Sequence, residues 1–73
     1  MQLTTILGKI YQDSLIEIVT MGCVRVFYGQ VKEALVDKNL EFAYQAEVIS
    51  LVPFEAETDE NVYTPSIQIM IRF

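Results

Sequence analysis

Hydrophobic and polar positions alternate most cleanly over Ser66–Phe73, SIQIMIRF, where Ile67, Ile69, Ile71 and Phe73 line one side and Gln68, Met70 and Arg72 the other. That period of two predicts a strand. Ser14–Gly29, SLIEIVTMGCVRVFYG, holds two apolar runs broken by Met21-Gly22-Cys23. Its β-branched content and bounding glycine predict a β-hairpin, with Gly22 supplying the positive φ of the turn. Leu3–Tyr11 has a helical period: Leu3, Ile6, Leu7 and Ile10 fall on one face, and Thr4 or Thr5 is the expected N-cap. So short a helix holds only by laying that face on a sheet.

Val31–Leu40 predicts one to two helical turns, with Val31, Leu35 and Leu40 on one side. Glu41–Gln45 could open the next strand, since Phe42 and Tyr44 alternate with polar or small residues. Ala46–Phe54 reads as a third strand with both faces covered, closed or placed at an edge by Pro53. Glu55–Pro65 is polar and acidic and reads as a hairpin loop. The order helix, hairpin, short helix, hairpin predicts a single α+β domain over residues 1–73. It would hold a curved, mainly antiparallel sheet of four strands with the N-terminal helix on one face.

Composition adds one pressure. Of the 73 residues, 52% are hydrophobic, whereas so small a domain buries only about 60% of the surface its unfolded chain exposes. Some apolar side chains must therefore meet another molecule, and a second copy of the chain is the nearest candidate. The sheet face left without a helix, carrying Leu15, Val19, Phe27 and Met70, is the expected interface of a dimer or larger homo-oligomer. No apolar run reaches the ~20 residues of a membrane helix. The N-terminus lacks the pattern of a signal peptide, and a lone cysteine suits a reducing compartment, so the expected location is the cytoplasm. The net charge of −5 and five scattered basic residues argue against nucleic acid as a partner.

The chemistry-bearing residues are few. Glu55, Glu57, Asp59 and Glu60 are four carboxylates in six residues, without the glycine and glutamate spacing of a calcium loop. They read as a solvated loop, with a lure for a basic partner surface as the sharper alternative. Cys23 has no histidine to activate it, because the chain contains none. Three distant glycines make no phosphate loop. No metal or cofactor is expected, and an enzyme, at most a small hydrolase working with carboxylates, is the remote option. Arg25 and Arg72 could clamp a phosphate or carboxylate if their strands were neighbours, with Tyr28 and Tyr63 stacking on the ligand. Otherwise each arginine pairs with a cross-strand acid such as Glu17 or Glu47.

With Leu15–Val19, the YGQV of Tyr28–Val31, the segment Glu47-Val48-Ile49-Ser50-Leu51 and the final Ile-x-Ile strand, the chain resembles small uncharacterised proteins of bacteriophages and integrated elements of Gram-positive bacteria. That resemblance implies an accessory protein acting in the host cytoplasm by binding a host protein, in one version a defence component. It assigns no active-site residue. The resulting expectation is a non-enzymatic oligomeric binding module. The alternative is a module that sequesters an anionic, nucleotide-type ligand at a subunit interface.

Overall fold

A computed structural model describes all 73 residues. It contains a short helix α1 (Leu3–Leu7), strands β1 (Leu15–Thr20) and β2 (Arg25–Gln30), and a single-turn helix α2 (Val31–Ala34). A 3₁₀ helix (Lys38–Ala43) and strands β3 (Glu47–Asp59) and β4 (Val62–Arg72) follow. The α+β class and the order helix, hairpin, short helix, hairpin stand as predicted. The four strands run in the order β2-β1-β4-β3. Both hairpins are antiparallel, but β1 and β4 pair in parallel, Leu15 opposite Ser66 through Thr20 opposite Ile71. The sheet is therefore mixed, with β1 and β4, one strand from each hairpin, at its middle.

The strand period sorts the side chains. Ile16 and Ile18 of β1, with Ile69 and Ile71 of β4, point to the helical side and are fully buried there. Leu3 and Leu7 of α1, Val31 and Ala34 of α2, and Leu40 and Ala43 of the 3₁₀ helix close the core from above. At about 1.5–3 kcal/mol for each large side chain fully buried, this one layer of contacts is the main force holding the short helices. α1 is shorter than its apolar period suggested. It ends at Gly8, and Gln2 stands at its N-cap with no capping side chain. α2 is better framed: Gln30 and Glu33 form a reciprocal capping box. Gly29 precedes it with φ 159°, where an added Cβ would come 3.2 Å from the Phe27 ring.

Four sequence expectations change. Glu41–Gln45 is not a strand opening, because Leu40 and Ala43 turn inward on the 3₁₀ helix instead. The residue with positive φ in the first hairpin is Cys23, at 62°, not Gly22. Glu55–Pro65 is not a loop: β3 and β4 stay paired through Asp59 opposite Val62 and turn over Glu60-Asn61, where Asn61 takes φ 60°. β-formers of β4 such as Tyr63 and Thr64, opposite Glu57 and Ala56, carry the ladder outward, past the start of β1. Finally, β3 lies at the edge of the sheet, one of the two outcomes expected from Pro53, but its faces are not both covered: Leu51 and Val52, on opposite faces, are about half exposed.

Candidate functional site

Glu17 projects from β1 onto the face of the sheet that carries no helix. Arg25 reaches it across β2, with Nε and Nη2 each 2.7 Å from Oε2. From the other side, Gln68 of β4 donates from Nε2 to Oε1 at 2.8 Å. One carboxylate thus joins three strands, and its side chain keeps only 13% exposure. The Gln68 hydrogen bond, ahead of the Arg25 charge and hydrogen bond, holds the Glu17 carboxyl below the usual range; partial burial opposes them without winning. Tyr28, opposite Glu17 on β2, lies under the Arg25 guanidinium, 4.9 Å from ring centroid to Cζ.

Arg72 lies on the same face, but β1 separates β2 from β4, which sets the two arginines at least about 10 Å apart, two strand spacings. It pairs with Glu47 of β3 at 2.6 Å. Both arginines therefore meet the cross-strand acids, and the geometry brings no bidentate clamp together. Tyr63 is remote from Tyr28, exposed on the β3–β4 ribbon opposite Glu57. Of the four residues considered for an anionic ligand, only Arg25 and Tyr28 meet. No group of three or more cysteine or acidic residues is placed to hold a metal ion.

The expected interface residues also divide. Leu15, Val19 and Met70 share the helix-free face. Phe27 does not: it stands opposite Ile18 and packs against the core from the helical side. Val19, with 4% exposure, is already covered within its own chain. The face is thus a mixture of apolar patches crossed by the Glu17 network, not a continuous apolar surface.

A different feature, which periodicity did not flag, stands at the end of the sheet. Phe42 on the 3₁₀ helix and Phe73 just beyond β4 stack with centroids 5.6 Å apart and planes at 24°. Both rings are largely in solvent, 62% and 71% exposed. A groove of about 390 Å³ lies between them and the Arg72–Glu47 pair. A second groove, on the other side of Phe73, is bordered by Met21 of the first hairpin. Phe73 lies in phase with the buried Ile69 and Ile71, so alternation alone assigned it to the core; the sheet ends before the core reaches it.

The chain matches no protein-family model, no curated protein and no solved structure. No helix is long and apolar enough to cross a membrane.

Proposed function

We propose that this chain is a non-enzymatic binding module that works as a homo-oligomer and engages another protein. The observation that carries this reading is the exposed Phe42–Phe73 stack, bordered by Met21 and by Arg72. Aromatic residues, methionine and arginine are the residue types enriched where protein interfaces concentrate their binding energy. Two phenylalanine rings held in water gain about 0.5–1.5 kcal/mol from each other, well short of what burial of both against a partner would add. On the likeness to phage and mobile-element proteins, the partner is a host protein of a Gram-positive bacterium, met in the cytoplasm, where the exposed thiol of Cys23 stays reduced.

The alternative, an anionic ligand at Arg25 or Arg72, gains less support, because Glu17 and Glu47 already occupy the two guanidiniums. The test is affinity capture from such a host's lysate with the tagged chain and with the double variant Phe42→Ser, Phe73→Ser. A discrete protein retained by the parent and lost from the variant is expected. Recovery of the bait alone, or equal capture by both, would refute the reading.

A further inference from the structure

The free edge of the sheet at β3 carries its own information. Pro53 stands opposite Ile67, and Pro65 opposite Glu55, two pairs along the same antiparallel ladder. In such a ladder, pairs that exchange N–H···O bonds alternate with pairs that do not. Proline has no N–H to exchange, so both prolines sit in the non-bonded set. Leu51, Glu55 and Glu57 belong to that set too, and their N–H and C=O groups point away from β4.

The start of this edge is covered. Met1 accepts a hydrogen bond from the Val48 N–H at 2.7 Å, and Gln2 bridges to Glu47. From Leu51 to Glu57 nothing pairs with it. Pro53 interrupts the donors but still offers its carbonyl outward.

Open edges are commonly blunted by charged side chains, lysine above all, and by proline, of which this edge has one, Pro53. β3 has no lysine or arginine; its charged residues are Glu47, Glu55, Glu57 and Asp59, and the last three have no basic partner within the chain. A second copy is a poor occupant, since two such strands would bring the six unpaired carboxylates of Glu55, Glu57 and Asp59 to one seam without a cation. Complementarity favours a cationic strand. Glu55 and Glu57 project on one face with the spacing of alternate strand residues, so lysine or arginine at alternate positions of an antiparallel strand would meet both.

We propose that the β3 edge from Leu51 to Glu57 accepts an extended basic segment of another protein as a fifth, antiparallel strand. Main-chain hydrogen bonds give the attachment, and Glu55 and Glu57 select its charge. This surface is separate from the Phe42–Phe73 patch, so its failure would leave that reading standing.

The probe is a fluorescein-labelled, end-blocked peptide, Val-Lys-Val-Lys-Val-Lys-Val, measured by anisotropy at low salt with the intact chain. Saturable binding below about 1 mM is expected, weakened about tenfold by Glu55→Gln with Glu57→Gln, which remove charge from exposed positions. In an antiparallel pairing the lysine amides face β3. Methylating those amides should abolish binding, and methylating the valine amides should leave it. Equal binding of the two methylated peptides would reduce the contact to charge attraction and overturn the proposal. So would the absence of binding, or peptide binding that dissociates an oligomer of the chain, which would make a second copy the occupant.

Discussion

Glu17 is a charged residue in the middle of an otherwise apolar strand run, and its partners decide how it behaves. Its carboxyl is held below the ordinary range in the folded chain, so its contribution is present above the ordinary glutamate value of about 4.3 and is lost as pH falls through the lower, folded value. Urea melts of the parent and of Glu17→Gln should therefore differ at neutral pH and converge as the medium becomes acidic; a gap that persists unchanged at pH 3 would contradict this. Cys23 makes a second residue-level case. At φ 62° a β-branched side chain is strained, whereas asparagine tolerates the left-handed region. Cys23→Val should cost about 1–2 kcal/mol in a thermal melt and Cys23→Asn close to nothing. Composition marked the turn but misplaced the strain: Gly22 looked like the residue made for positive φ, and only the backbone geometry moves that burden one position on.

At the scale of elements, β4 dominates because, paired on both sides by β1 and β3, it ties the two hairpins into one sheet. Ile69 is fully buried and bonded between β1 and β3, and Ile69→Ala should cost about 2–5 kcal/mol, a large part of the roughly 5–15 kcal/mol total of a small domain. A change below 1 kcal/mol in denaturant midpoint analysis would remove β4 from the core. Tyr44 holds the helical layer together differently: its hydroxyl donates to the carbonyls of Ala34 and Asp37 at 2.9 and 3.0 Å. Burial, aided by the charges of Glu41 and Asp37, raises its pKa, so the donor stays protonated. Tyr44→Phe should lose about 1 kcal/mol. Strand alternation made β1 and β4 legible in advance, because Ile16, Ile18, Ile69 and Ile71 obey it. It could not tell which strand lies beside which: parallel pairing of β1 with β4 leaves the alternation of both unchanged. The ribbon beyond Phe54 was missed because Glu55, Glu57 and Asp59 mask a strand pattern that Ala56, Thr58 and Thr64 continue.

For the whole molecule, the helix-free face and the Phe42–Phe73 end remain open in a single copy. We expect a particle heavier than the 8.4 kDa protomer in sedimentation at micromolar concentration. Raising salt should not dissociate it, since each copy carries a net charge of −5 and screening relieves repulsion between copies. Val52→Lys, at a half-exposed position on the helix-free side of β3, should shift the distribution toward monomer. A parent that sediments as monomer would end the oligomer reading. The excess of apolar residues pointed to such an association, but not to its place. Phe27 was wrongly set on the open face because the irregular pairing where Ile18 meets Phe27 and Val19 meets Arg25 breaks the simple count along β2.

The parallel pairing of β1 with β4 also fixes when the molecule can form. Leu15 and Ser66 are neighbours in the sheet, with nearly the whole intervening chain between them. As the polypeptide leaves the ribosome, the β1–β2 hairpin can close at once, but Ile16 and Ile18 have no lasting cover until β4 has been made and released. Contacts this distant in sequence are slow to find, in the range of milliseconds to seconds for sheets dominated by them. Until then the newborn chain presents an unpaired β1 edge and a bare isoleucine row, and that interval is when it is most open to wrong pairing with other chains.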